Sequence, residues 1–252
     1  MNEHEQDAVK QSVRESYARV VQGSSGCGCT PAAGAAEACC APAVGPSTAM
    51  PAGADLGLSS GDPVSVAALQ PGETVLDLGS GAGRDAFPAA RLVGSGGLVI
   101  GVDMTPEMVH RARQLAREGA FENVSFRLGE IEHLPVADAS VDVVISNCVI
   151  NLAPDKASVY REALRVLKPG GRLAVSDMVA VRPLPVELRA DPVRWSACIA
   201  GAEMPNVLER LLREAGFEQV SIETQRITTR DTPDETSRWV APAMIRAVKP
   251  VT

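Results

Sequence analysis

The run Thr74-Val-Leu-Asp-Leu-Gly-Ser-Gly-Ala-Gly-Arg84 decides the fold. Its apolar residues from Val75 to Leu78 are typical of a short buried strand, which breaks into a turn at Gly79, Gly81 and Gly83. Because glycine has no Cβ, such a turn lets the backbone approach a ligand closely. Ligands of open parallel sheets bind at the carboxyl ends of the strands. The run therefore predicts a strand-to-helix turn beside a ligand pocket.

An acidic residue follows the next predicted strand. Residues 97–102 are mostly apolar and lead into Asp103, 26 residues after Asp77. This is close to the spacing at which a dinucleotide-binding fold places a carboxylate on ribose hydroxyls. Two strands that each end in ligand groups predict a pocket for a nucleoside-type cofactor. The predicted binding residues here are Asp77, Gly79, Gly81, Gly83 and Asp103.

The glycine turn is one residue tighter than the G-x-G-x-x-G of NAD enzymes, and an acid stands inside the strand before it. This pattern resembles the first motif of class I S-adenosylmethionine-dependent methyltransferases. That family places the turn near the methionine part of the cofactor and the second-strand acid on the ribose. A cofactor without a pyrophosphate needs no long phosphate cradle. An NAD-dependent oxidoreductase stays as an alternative, which the short turn disfavours.

Strands and helices alternate from residue 72 to residue 177. This predicts an α/β fold with a Rossmann-like, doubly wound, mostly parallel sheet. We divide the chain into an N-terminal helix (1–22), a flexible Cys/Gly/Ala/Pro linker (23–53), a cofactor-binding domain (54–180) and a substrate-capping region with terminal strands (181–252). The predicted helices are 5–22, 63–69, 84–93, 105–118, 155–167 and 205–215. The predicted strands are 75–78, 97–102, 123–128, 141–146, 172–177, 218–225 and 242–248.

Composition narrows the function classes. The net charge of −7 argues against a nucleic-acid partner, because no basic stripe is present. No apolar run reaches the ~18 residues that cross a bilayer, and the polar N-terminus does not resemble a secretory signal. We therefore expect a cytoplasmic protein that binds neither nucleic acid nor membrane, and a monomer. Six cysteines without an export signal suggest reduced thiols or soft-ion ligands rather than disulfides.

Polar clusters at other predicted strand ends extend the cofactor pocket. Asp103 is followed by Met104, the third strand by Glu130 and Ile131, and the fourth strand by Asn147. We expect Glu130 to accept a hydrogen bond from the adenine amino group while Ile131 packs on the ring. The alternative for Glu130 is a solvated loop acid.

Two cysteines fall where the pocket is predicted. Cys148 comes at the end of the fourth strand, and Cys198 lies in the region expected to cap the crevice. Each alone is compatible with a small core residue. Together they suggest a thiolate site, and thiolates select soft ions. The linker holds four further cysteines, either incidental thiols or part of a soft-ion-binding arm: Cys27, Cys29, Cys39 and Cys40.

Longer runs resemble the arsenite S-adenosylmethionine methyltransferases. They are 94–108, 122–135, Ile145-Ser-Asn-Cys-Val-Ile-Asn-Leu152, 155–156, 166–171 and Cys198-Ile-Ala-Gly-Ala202. The resemblance implies that Cys148 and Cys198 are the catalytic thiols that hold trivalent arsenic. It also implies S-adenosylmethionine as cofactor, a small arsenical as substrate, arsenic detoxification as the role, and a thiol reductant such as glutathione or thioredoxin.

One position departs from that family. Where it carries a third cysteine, in a Gly-Leu-Gly-Cys-Gly run, this chain has Ser60. Serine is a poor ligand for a soft metalloid. We consider three substitutes: a linker thiol such as Cys39 or Cys40 or the Cys27/Cys29 pair, a small-molecule thiol, or a methylated arsenical that needs only two protein thiols.

The implied chemistry requires little acid–base catalysis. Thiolate-bound trivalent arsenic keeps a lone pair and carries no proton to remove, so the protein contributes mainly positioning. Two further readings stay open. One is a methyltransferase for a small organic molecule, which would require a base and an apolar substrate pocket. The other is a non-catalytic arsenic-binding protein, for which the cofactor turn would have no purpose.

Overall fold

A computed structural model describes residues 2–21, 50–57, 61–225 and 238–251. Most of the predicted linker, including Cys27, Cys29, Cys39 and Cys40, lies outside the described residues, as does Ser60. The part of the chain that carries the predicted cofactor pocket is described throughout.

A single seven-stranded sheet organises the molecule. Its strands are β1 (Thr74–Leu78), β2 (Leu98–Asp103), β3 (Val124–Leu128), β4 (Val141–Asn147), β5 (Leu167–Ala180), β6 (Glu218–Thr224) and β7 (Val240–Val248). They lie in the order β3-β2-β1-β4-β5-β7-β6. The first five pair in parallel, whereas β7 runs antiparallel to both β5 and β6. The predicted mostly parallel α/β fold is confirmed.

Helices cover both faces of this sheet. They are α1 (Glu3–Val21), α2 (Pro63–Val66), α3 (Ala86–Val93), α4 (Pro106–Glu118), α5 (Lys156–Val166), α6 (Val186–Arg189), α7 (Pro192–Ser196) and α8 (Pro205–Ala215). One apolar layer contains Tyr160 of α5 and Leu212 of α8, and the other contains Phe87 of α3 and Leu115 of α4. No helix in the described ranges is long and apolar enough to cross a membrane.

The structure differs from the predicted elements in two places. The run Lys168–Gly171 belongs to β5, where an irregularity in the pairing with β4 and a positive φ of 77° at Gly170 absorb the turn. The stretch after residue 180, where no element is predicted before residue 205, contains α6 and α7. Helix α7 forms because the Asp191 carboxylate accepts hydrogen bonds from the first backbone amides and Pro192 occupies the first turn.

The N-terminal helix α1 lies far from the sheet in sequence but packs against α4 and α7. Its buried side carries Val13, which is 1% exposed. This contact brings α1 over the carboxyl end of the strands, where the predicted pocket lies.

Candidate cofactor and thiol site

The glycine turn after β1 has a backbone that only glycine adopts easily. Gly79, Gly81 and Gly83 have φ angles of 64°, 52° and 98°. A Cβ on Gly79 would lie 2.4 Å from a Val149 methyl carbon, and one on Gly83 would lie 2.5 Å from the Phe87 ring. The turn therefore has no room for side chains at either position, and its backbone faces the pocket.

Asp103 joins the ends of β1 and β2. Its Oδ2 accepts a hydrogen bond from the Gly81 amide at 2.9 Å, and its Oδ1 accepts one from the Thr105 amide at 2.8 Å. Burial raises the pKa of Asp103, and the hydrogen bonds from the Thr105 and Gly81 amides oppose that rise. The carboxylate thus holds the glycine turn in place while it lines the pocket.

Two oxygens beside the turn have no hydrogen-bond partner within the described part of the chain, Asp77 Oδ2 and Ser80 Oγ. Burial, together with the nearby Asp85 and Asp103 carboxylates, raises the pKa of Asp77 well above its usual range. Buried polar groups normally find partners. Ser80 lines the pocket described next, so a ligand bound there would lie beside its hydroxyl, whereas Asp77 is not among the lining residues.

A pocket of about 930 Å³, part of it open to solvent, extends from this turn. The predicted residues that line it are Gly79, Gly81, Asp103, Met104, Ile131, Asn147 and Cys148. Asp77, Gly83, Glu130 and Cys198 are not among the lining residues, although each lies next to one in sequence or in space.

Glu130 is engaged by helix α1. Its carboxylate lies 2.6 Å from Lys10 Nζ and 3.6 Å from Arg14. Glu132, in the same loop, lines the pocket instead. Its Oε1 lies 3.1 Å from Lys10 Nζ. The adenine contact expected of Glu130 stays a prediction, and it would require this carboxylate to share or release Lys10.

Helix α1 contributes pocket residues that the sequence did not reveal as functional: Lys10, Val13 and Tyr17. The spacing of its apolar residues predicts a buried side but says nothing about what that side covers. The Tyr17 hydroxyl donates to the Ser196 carbonyl at 3.4 Å, and its ring packs with Cys148, Cys198 and Trp195.

The two predicted thiols lie together. Cys148 follows β4 and lines the pocket, whereas Cys198 follows α7 and is 2% exposed. The Cys198 thiol donates to the Cys148 carbonyl at 2.7 Å. A side-chain interaction with Cys148, together with burial, raises the pKa of Cys198 well above its usual range. Both residues have positive φ, 57° and 61°, and such strain often occurs at functional sites.

Asp177, at the pocket end of β5, is a site residue that the sequence analysis missed. One of its oxygens and the two Sγ atoms of Cys148 and Cys198 lie within 4.8 Å of one another. Burial raises its pKa to about 6. Asn151 donates to it from both the side chain, at 2.9 Å, and the backbone, at 3.2 Å. Since it ends a predicted strand, the strand-end argument applied to the other carboxylates could have found it.

The raised pKa of Asp85 implies that the stability of the protein depends on pH. Burial raises the pKa of Asp85 to about 6, against the attraction of Arg84 and a hydrogen bond from Asn147. The pKa of Asp85 is about 4 in the unfolded chain and about 6 in the folded one. Between pH 4 and pH 6 the folded state therefore binds more protons than the unfolded state, and the free energy of unfolding falls as pH rises. The excess of wild-type over Asp85→Asn stability should therefore fall by about 2–3 kcal/mol between pH 4 and 7. Urea unfolding at several pH values measures this, and a pH-independent difference would contradict it.

Comparisons with known proteins agree with this geometry. A family model described as "Methyltransferase domain" matches residues 69–216. The chain is 53% identical over 203 residues to an arsenite methyltransferase of Halobacterium salinarum, covering 79% of this chain and 52% of the relative. It is 44% identical over 152 residues to the human arsenite methyltransferase, covering 57% of this chain and 40% of that protein. The chain thus spans about half the length of the curated relatives it matches.

One solved structure is similar to this chain in both fold and sequence. It is an arsenic(III) S-adenosylmethionine methyltransferase from Chlamydomonas reinhardtii, 42% identical with a TM-score of 0.62, covering 72% of this chain and 64% of that one. The matched family region contains the glycine turn, Asp103, both thiols and Asp177. The glycine turn and the Asp103 carboxylate, which line one pocket, fit S-adenosylmethionine, the cofactor of this family. The chain therefore belongs to the methyltransferase-domain family.

Proposed function

We propose that this chain transfers the methyl group of S-adenosylmethionine to trivalent arsenic held by Cys148 and Cys198, as an arsenic-detoxifying enzyme. One observation carries the proposal: thiols 50 residues apart in sequence converge at the wall of the pocket that begins at the glycine turn. Soft thiolates select soft ions such as arsenic. The resemblance to arsenite methyltransferases supports the same substrate, with arsenite and methylarsenite as candidates.

The protein's own residues would act by positioning. S-adenosylmethionine supplies an electrophilic methyl group on its sulfonium sulfur. The turn at Gly79 and Gly81, with Asp103, orients the ligand at one end of the pocket. Cys148 presents its sulfur to the same pocket, and Cys198 lies behind it. Arsenic bonded to both sulfurs would be held in one orientation. Holding two reactants in the productive orientation can lower an activation free energy by about 7 kcal/mol or more.

We also propose that a thiol reductant such as glutathione or thioredoxin maintains the site. The two sulfurs are close neighbours, and neighbouring thiols oxidise readily to species that cannot bind arsenic. The reductant would return them to the thiol form between turnovers.

Labelled S-adenosylmethionine tests the activity directly. The full chain is incubated with arsenite, and separately with methylarsenite, in the presence of glutathione. We expect label in a methylated arsenical with at least one of the two and none without an arsenical. If neither substrate accepts label, the arsenic assignment fails and a methyltransferase for a small organic molecule takes its place.

A further inference from the structure

The thiol site contains a third donor that trivalent arsenic does not require. Asp177, Cys148 and Cys198 each place one ligand atom within 4.8 Å of the other two. Two sulfurs and one carboxylate oxygen form a donor set that zinc-type divalent ions accept in tetrahedral geometry. Arsenic bonded to two thiolates is a soft centre, to which a carboxylate oxygen is a poor ligand.

Hydrogen bonds fix the orientation of the Asp177 carboxylate, as is typical of a carboxylate that binds a metal ion. Asp177 is 3% exposed and accepts hydrogen bonds from the Met178 amide at 2.8 Å and from both nitrogens of Asn151. The Ile150 amide makes a smaller contribution that also favours the ionised form. Carboxylates that bind metals are typically oriented by such hydrogen bonds. Asn151 also donates to the Cys198 carbonyl at 3.3 Å, so one side chain supports two of the three donors.

The Asp177 carboxylate has no direct ion-pair partner. Within the described part of the chain, no basic side chain lies within ion-pair distance of Asp177, and Lys156 attracts it only from farther away. Burying an unpaired carboxylate is costly, and a bound cation would remove that cost. Cys148 lines the pocket, so a cation would reach the three donors from the pocket side.

We propose that Cys148, Cys198 and Asp177 form a binding site for a borderline or soft divalent cation such as Zn²⁺ or Cd²⁺. Binding exchanges the two thiol protons for two metal–sulfur bonds and adds one metal–oxygen bond, with two protons released to solvent. Because the cation uses the same sulfurs, it excludes the arsenical and inhibits methyl transfer competitively. The competition rests on the proposed function, but the cation site does not.

A substitution at Asp177 distinguishes cation binding from arsenical binding. The parent protein is the full chain with Cys27, Cys29, Cys39 and Cys40 replaced by serine, so that Cys148 and Cys198 are its only thiols. Cd²⁺ binding is followed by the ultraviolet charge-transfer band of cadmium thiolates. Methylarsenite binding is followed by the fluorescence of Trp195, which packs beside both thiols. A phosphine replaces thiol reductants.

We expect Asp177→Asn to weaken Cd²⁺ binding at least about tenfold more than it weakens methylarsenite binding. Cys198→Ser should weaken Cd²⁺ binding and reduce the charge-transfer band per bound Cd²⁺ by about half, because one of the two metal–sulfur bonds is lost. The matched control is Asp142→Asn. The Asp142 carboxylate also accepts a hydrogen bond from a backbone amide, that of Thr74, but it lies near the start of β4, away from the thiols. Asp142→Asn should change neither affinity.

Equal loss of both ligands in Asp177→Asn, or no loss of Cd²⁺, overturns the inference. X-ray absorption of the Cd²⁺-loaded parent decides independently of how that variant folds: two sulfur donors with oxygen support the site, and a shell with fewer than two sulfurs refutes it. A parent that binds Cd²⁺ in this way but neither binds nor methylates arsenicals refutes the proposed function alone.

Discussion

Replacing Cys198 with serine should lower methyl transfer to methylarsenite by at least about a thousandfold. Two thiols that are held side by side bind one arsenic atom as a chelate, so the second bond forms at a high effective concentration. The single remaining thiol of Cys148 loses that advantage, and arsenic is no longer held in one orientation at the pocket. The rate of transfer from labelled S-adenosylmethionine measures the loss.

Cofactor affinity in the same variant serves as its control. Cys198 does not line the cofactor pocket, so Cys198→Ser should bind S-adenosylmethionine as the wild type does. A Cys39/Cys40 double serine variant asks whether the linker supplies a third ligand: full activity shows that two protein thiols suffice. Retained transfer by Cys198→Ser would mean that arsenic is not held by this pair.

Asp103→Asn should weaken S-adenosylmethionine binding by about 10- to 100-fold. The two oxygens of Asp103 accept from the amides of Gly81 and Thr105. An asparagine side chain keeps one acceptor and turns an NH₂ group toward the other amide, so the glycine turn loses a support. The ribose hydroxyls would also lose a charged acceptor. Calorimetric titration with S-adenosylhomocysteine reports the change in affinity.

Asp142→Asn again provides the comparison. That carboxylate also accepts from a backbone amide, but near the start of β1 and paired with Lys168, away from the pocket. If both variants lose the same affinity, the effect comes from general loosening of the sheet. A loss confined to Asp103→Asn assigns it to the cofactor site.

The sequence predicted the parts of the site that follow from strand order. Parallel strands bring their carboxyl ends to one edge of the sheet, so the sequence alone places the glycine turn, Asp103 and Asn147 together. Local sequence patterns also located six of the seven described strands to within two residues at each end, but placed the start of β5 five residues late. These features depend on short stretches of chain and on a sheet whose geometry is known in advance.

Long-range contacts could not be predicted in this way. Lys10 and Glu130 are 120 residues apart, and no local pattern reports that α1 would cover the pocket. Cys198 follows a five-residue helix in a stretch without apolar periodicity. Its place beside Cys148 was suggested by the expectation that its region caps the crevice and then by the resemblance to a family, because no spacing between the two cysteines indicated it.

The position of β7 affects how the chain is made. This strand lies between β5 and β6 in the sheet, although both are synthesised before it. Until residues 240–248 leave the ribosome, β6 has no partner and the edge of β5 stays open. Open strand edges pair with other chains. The nascent protein therefore passes through a period in which the strand that carries Asp177 is exposed to aggregation, and that period ends only when β7 inserts.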